Sequence, residues 1–199
     1  NYMLNAEEIA YIINHSGSRI FIVEDILYPI IAKDQNKFST VEKWGFIPLG
    51  DSSVPDGFFN LISEMETMPY DEPQVEVSAE DVVQIPYTSG TESKPKGAML
   101  SHRALMSQYH SCIFDGQYDT YDVSLRALPL FHCAQLHCFL MPYLYIGATN
   151  VIMHKADPLE MIKLIEKYQI THMFAPPTVW IGILNHPEFK NYNHYQLTL

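Results

Sequence analysis

The chain has 199 residues, 47% of them hydrophobic and 18% charged, so it can bury a core of its own and is not a disordered polymer. Its 23 Asp and Glu outnumber 12 Lys and Arg, a formal net charge of −11. That excess repels phosphodiester backbones and anionic bilayer surfaces, which argues against nucleic-acid binding and against simple electrostatic attachment to a membrane. Three cysteines, Cys112, Cys133 and Cys138, are too few and too odd for a disulfide framework and fit a reducing, cytoplasmic setting. The longest apolar-looking run, Phe139 to Gly147, contains Pro142 and falls far short of a bilayer span. The start, Asn1-Tyr2-Met3-Leu4-Asn5, lacks a basic region followed by an apolar stretch, so no signal peptide is expected.

In chain order, Asn5-Ala6-Glu7-Glu8 caps a helix with an apolar face of Ile9, Ile12 and Ile13, and Gly17 ends it. Arg19 to Val23 is a short, almost wholly apolar strand closed by Glu24-Asp25. A helical stretch around Ile30 to Lys37, a strand from Trp44 to Leu49 and a short helix from Phe58 to Met65 follow. The acidic, proline-bearing run Met68 to Pro73 reads as a connector. It separates a front α/β portion, 1–80, from a larger portion, 81–199.

The second portion opens with the strand Val82 to Tyr87, a polar loop, and a returning strand from Ala98 to Ser101. A helix from His102 to Phe114 follows. Then come a strand (Val123 to Leu128), a helix (His132 to Tyr145), a strand (Ala148 to Met153) and a helix (Pro158 to Tyr168). A strand from Thr171 to Ala175 and a helix from Pro177 to Asn185 close the series. This alternation predicts an α/β fold of layered, mostly parallel sheets flanked by helices.

The loop Tyr87 to Gly97 carries the chemistry. Four hydroxyls in Thr88, Ser89, Thr91 and Ser93, glycines at 90 and 97, and lysines at 94 and 96 sit between two strand-like runs. Small and hydroxylated residues let backbone N–H groups and side chains donate to an oxyanion, and Lys96 supplies charge. It is not a Walker loop, because the sixth residue from Gly90 is Pro95 and Gly97 follows Lys96. Composition alone leaves a polar surface turn as an equal alternative.

The order of residues in Thr88-Ser89-Gly90-Thr91-Glu92-Ser93-Lys94-Pro95-Lys96-Gly97 decides between them. It closely resembles the phosphate-binding signature of the adenylate-forming enzymes: acyl-CoA synthetases, luciferases and peptide-synthetase adenylation domains. The resemblance extends to Leu100 to Leu105, to Leu128-Pro129-Leu130-Phe131-His132, to Ala175-Pro176-Pro177-Thr178 and to the front stretch Asn5 to Ile22. Among subfamilies the chain looks most like the fatty-acyl-CoA synthetases, specifically part of their large N-terminal domain.

The resemblance implies a two-step reaction. A carboxylate attacks the α-phosphorus of ATP to give an acyl-adenylate and pyrophosphate, and the CoA thiol then displaces AMP. Carried over by position, Thr88, Ser89, Gly90, Thr91, Glu92 and Lys96 match the nucleotide-binding loop. Thr91 matches the residue that helps hold Mg²⁺, and His132 matches the histidine beside the carboxylate. Lys96 and His132 are thus the implied catalytic residues. The implied partners are a fatty or other carboxylic acid and CoA, with peripheral membrane association left open and no nucleic acid.

Glu92 and Ser93 depart from the threonine and glycine that many members carry, which bears on loop mobility and phosphate affinity more than on membership. No segment resembles the family's later Mg²⁺ glutamate, ribose aspartate or lid lysine. The chain therefore reads as the middle of a larger enzyme, inactive by itself. A noncatalytic module that binds nucleotide or a partner, or an enzyme that passes the acyl group to a carrier-protein thiol, are the alternatives. His132-Cys133 and His137-Cys138 resemble a zinc set only superficially, since a spacing of five rotates each pair off one helix face. Their apolar neighbours Leu136, Phe139 and Leu140 favour packing.

Overall fold

The computed structural model describes residues 1–88 and 94–197. They form two compact units, 1–78 with 84–99 and 79–83 with 100–199, each a mixed α/β body.

In the first unit, α1 (Ala6–Ser16) starts where Asn5 accepts from Glu7 N and Glu8 N, while Glu8 accepts from Asn5 N to complete a capping box. It stops at Gly17, whose φ of 69° lies in the left-handed region that glycine tolerates. Strands β1 (Ile20–Glu24), β2 (Lys43–Ile47) and β3 (Phe58–Asn60) pair in parallel, in that order. Period-two alternation puts Phe21, Val23, Trp44, Phe46 and Phe58 on one face, against Ile9, Ala10 and Ile13 of α1 and Ile31 of α2 (Tyr28–Ile31).

Two expectations change here. The helix expected over Ile30 to Lys37 is instead α2 and a 3₁₀ turn, Gln35–Lys37. Pro29 suits the first turn of the helix, which starts two residues early, and α2 ends at Ile31, ahead of the 3₁₀ turn that Asp34 precedes. The helix expected at Phe58 begins later. Phe58 and Phe59 are aromatic residues that suit a strand, and Asn60 caps α3 (Leu61–Thr67) by accepting from Ile62 N and Ser63 N.

In the second unit, β4 (Val82–Gln84) pairs with β7 (Leu100–Ser101), and Ser101 caps α4 (His102–Gly116). The main sheet has the order β10 (His172–Met173), β8 (Val123–Arg126), β9 (Thr149–Ile152), all parallel. One face carries Leu125 and Met173 and packs on Met161, Ile162 and Ile165 of α6 (Pro158–Tyr168) and Ile183 of α7 (Pro177–Leu184). Ser124 and Arg126 project to the other face, toward the helix that follows His132. That helix is a π-type segment, Ala134–Leu140, continued by α5 (Met141–Tyr145), with α4 packed along it.

No helix among the described residues is long and apolar enough to cross a membrane. Replacing Asn5 with alanine removes the side-chain half of the capping box, the acceptor for Glu7 N and Glu8 N, and leaves Glu8 on the Asn5 amide. It is expected to lower unfolding free energy by about 1 kcal/mol in urea titrations.

Candidate active site

The loop singled out by its residue order rises from a two-stranded antiparallel ladder in the first unit. β5 (Tyr87–Thr88) faces β6 (Lys96–Gly97), pairing Tyr87 with Gly97 and Thr88 with Lys96. Pro86 interrupts the expected strand Val82 to Tyr87 into β4 and β5, because it has no N–H for a ladder. Its carbonyl still accepts from Ala98 N at 2.9 Å. Thr88 and Lys96 are thus direct cross-strand neighbours, both exposed, at the neck of the loop. Ser89, Gly90, Thr91 and Glu92 lie outside the described residues.

Helix α1 holds both stems. Tyr11 donates its hydroxyl to Pro95 O at 3.1 Å, and four residues on, His15 Nδ1 lies 2.7 Å from the Tyr87 hydroxyl. Lys94 Nζ sits 5.4 Å above the Tyr11 ring. Burial pushes the Tyr87 hydroxyl pKa above its ordinary value, so the group stays a neutral hydrogen-bonding partner. Gly97 is required by close approach, since a Cβ there would meet Ile85 Cγ2 at 2.8 Å and the Tyr87 ring at 3.0 Å. Tyr11 and His15 were not among the expected site residues. The signal for them was their i, i+4 spacing on the side of α1 away from Ile9, Ile12 and Ile13.

In the second unit, the chain leaves the carboxyl end of β8 through Pro129 to His132, and leaves the carboxyl end of β10 through Ala175 to Thr178. Because β8 and β10 are adjacent and parallel, both segments emerge at one edge, where open α/β sheets present ligands. His132 is exposed and caps the following helix, its Nδ1 accepting from Ala134 N at 3.2 Å. An accepting Nδ1 assigns the proton of the neutral ring to Nε2, which leaves an N–H donor on the outer side.

His137, Cys138 and Cys112 pack, while Cys133 is exposed. His137 Nδ1 lies 2.8 Å from the buried Tyr109 hydroxyl, and burial lowers the His137 pKa. Cys138 Sγ accepts from Gln108 at 3.4 Å and neighbours Cys112, whose thiol pKa burial raises. No group of three or more His, Cys, Asp or Glu suited to a metal ion occurs among the described residues.

Arg126 is the residue sequence reasoning passed over. Only 1% of it is exposed, and burial lowers its pKa to about 10. A charged side chain between Leu125 and Ala127 in a strand with both faces covered was the available signal.

These features meet in one family. The AMP-binding enzyme model matches residues 1–198, and the chain belongs to that family. It is 36% identical over 146 residues to 4-coumarate:CoA ligase 1 of Petunia hybrida, covering 71% of this chain and 27% of that protein. It is 33% identical to 4-hydroxybutyrate–CoA ligase 2 of Metallosphaera sedula, covering 96% of this chain and 36% of the relative. Among solved structures, a Mycobacterium tuberculosis fatty acyl CoA synthetase superposes with a TM-score of 0.84 at 26% identity, over 99% of this chain and 37% of that one. The chain thus spans about a third of the length of the relatives it matches.

Gly97→Ala is expected to destabilise the loop stem by about 1–3 kcal/mol, since Ile85 is stiff at Cβ and cannot swing clear. Urea denaturation read beside hydrogen exchange of the Ala98 amide checks both size and place.

Proposed function

We propose that the whole protein activates a fatty acid with ATP and passes it to CoA. The carboxylate oxygen bonds to the α-phosphorus and pyrophosphate leaves. The CoA sulfur then bonds to the acyl carbon, and AMP leaves with the electron pair of the broken acyl–oxygen bond. What carries the reading is the loop neck, where Thr88 and Lys96 face each other beneath a residue order that matches the family.

An anionic nucleophile must approach an anionic triphosphate, so fixed positive charge and N–H donors lower the barrier. Lys96 supplies the charge, and Thr88, Ser89, Gly90 and Thr91 supply hydroxyl and backbone donors. Glu92 belongs to the same loop, where its charge weakens phosphate affinity relative to a neutral residue. The outward Nε2–H of His132 supplies a donor for the acid's carboxylate. Mg²⁺, when bound, would offset negative charge on the phosphates. Thr91 is the residue of this chain assigned to it. A cytoplasmic setting supplies ATP and CoA together.

The acid class is the finer part of the proposal. The names of the relatives span an arylpropenoid acid, a hydroxy acid and fatty acyl groups. Pyrophosphate release by the whole protein against carboxylic acids of graded length tests it. A maximum among medium or long chains is expected, and a preference for 4-coumarate or 4-hydroxybutyrate overturns the fatty-acid assignment.

Lys96→Ala is expected to slow adenylate formation by about 10²–10³, the usual loss for one preorganised electrostatic group. Its fold should be unchanged, because an exposed side chain carries little packing energy. An unaltered pyrophosphate-release rate removes Lys96 from the site. The 199-residue segment alone, given ATP, Mg²⁺, CoA and a fatty acid, is expected to form no thioester, and steady turnover would show that it carries every group the reaction needs.

A further inference from the structure

Helix α4 and the π-type segment Ala134–Leu140 pack along each other in the second unit, and each brings one cysteine to the seam. Gln108 of α4 donates its Nε2 to Cys138 Sγ at 3.4 Å. Cys112 lies about one helical turn further along α4, on the same helix face as Gln108. Burial raises the Cys112 pKa first, and the charge and hydrogen bonding of the Cys138 thiol raise it further. Tyr118, just past the end of α4, donates its hydroxyl to Cys138 O at 3.0 Å and holds the backbone at the second cysteine.

Both thiols are half-buried and free, and two packed helices hold them as neighbours. A single buried cysteine ordinarily serves as a small hydrophobe. A pair differs in kind, because a thiol beside a thiol has a reaction open to it that neither has alone. Cys133, by contrast, is exposed.

We propose that Cys112 and Cys138 are a modification site, oxidised by a low-molecular-weight disulfide to a reversible intramolecular disulfide that clamps α4 to the segment leading from His132. In the first step the Cys138 thiolate attacks one sulfur of glutathione disulfide, forming a mixed disulfide and releasing one glutathione. Gln108 Nε2 is placed to donate to the charge on Cys138 as it attacks. Cys112 then gives its proton to solvent base, and its sulfur attacks Cys138 Sγ and displaces the second glutathione. Two protein thiols lose two electrons and two protons, and one glutathione disulfide gains both and leaves as two thiols. Burial slows the second attack by holding the Cys112 thiol protonated, and its fixed position beside Cys138 offsets that loss. Such a bond suits a reducing setting, where the disulfides that do form are transient and redox-sensing.

The loop so closed encloses residues 113–137, β8 and His132 among them. A cross-link there restricts the opened states of the chain, so the π-type segment separates from α4 less often. Neither ATP nor Mg²⁺ enters the step, so the site stands or falls apart from the proposed adenylation.

Treating the whole protein with excess glutathione disulfide and mapping its tryptic peptides by mass spectrometry tests the proposal. Cleavage after Arg103, Arg126 and Lys155 leaves Cys112 in peptide 104–126, and Cys133 and Cys138 in peptide 127–155. The expected product is a reduction-sensitive cross-link between these two peptides, kept in Cys133→Ser and lost in Cys138→Ser. The exposed Cys133 should take up glutathione as a mixed disulfide, which marks that the reagent has acted. Hydrogen exchange over residues 134–140 should slow by about tenfold or more on oxidation and recover with dithiothreitol. Glutathione on Cys133 without a cross-link overturns the proposal. So does a cross-link that is lost in Cys133→Ser or survives Cys138→Ser. Exchange over 134–140 that oxidation leaves unchanged overturns the clamp. If Cys138→Ser does not fold, the unsubstituted protein and Cys133→Ser decide alone.

Discussion

Parallel pairing on both edges of β8 is the constraint from which the second unit follows. With β10 on one side and β9 on the other, both edges of the strand are paired, so its two faces remain to be covered. Leu125 turns to α6 and α7, where the contact is aliphatic. Ser124 and Arg126 turn to the helix after His132, and there the contact has to be polar as well as aromatic. The same strand direction sends His132 and Thr178 to one edge of the sheet. The buried polar contact within the layer and the candidate ligand edge therefore share one cause.

The first unit solves a different problem, which is to hold a polar loop by its ends. A two-residue ladder has little stability of its own. Here it is held by side chains from a capped helix: Tyr11 on the outgoing stem and His15 on the incoming one. The absence of a Cβ at Gly97 lets the Tyr87 ring lie close against the opposite strand and carry its hydroxyl to His15. The capping box at Asn5 thereby bears on the loop, because a frayed first turn would loosen the helix that holds it.

Much of this was legible from local chemistry. Pro158 to Tyr168 is a helix at the expected bounds because Asp157 caps it and its apolar spacing is regular. Asn5 and Gly17 bound α1 as their types dictate. The parallel layering followed from alternation alone. What the residues did not disclose was tertiary. Phe58 and Phe59 extend because β2 offers them an edge, a pairing partner distant in sequence. The segment after His132 reads as an ordinary α-helix, whereas Ala134–Leu140 is π-type and packs along α4. Lys96 and His132 were legible as site residues only through the order of their neighbours. Arg126, Tyr11 and His15 left only weak local signals, a charge inside a covered strand and an i, i+4 spacing, because their partners Asn150, Pro95 and Tyr87 are distant in the chain.

The net charge of −11 sets the terms on which such a chain handles anionic ligands. At physiological salt the Debye length is about 8 Å, so acidic residues scattered over the surface are screened before they oppose an anion in a cleft. What counts is the charge within a few ångströms, and there the scarce cations are placed selectively. Lys94 and Lys96 stand on one stem of the loop, Lys94 with its Nζ 5.4 Å above the Tyr11 ring. Arg126 is withdrawn from solvent altogether, and burial lowers its pKa to about 10 without discharging it at neutral pH. Its donors go to Asn150 Oδ1 and the Phe139 carbonyl rather than to water. Overall acidity and the local placement of charge are thus separate properties of this chain: the first is a sum over the surface, the second belongs to individual side chains and what packs on them.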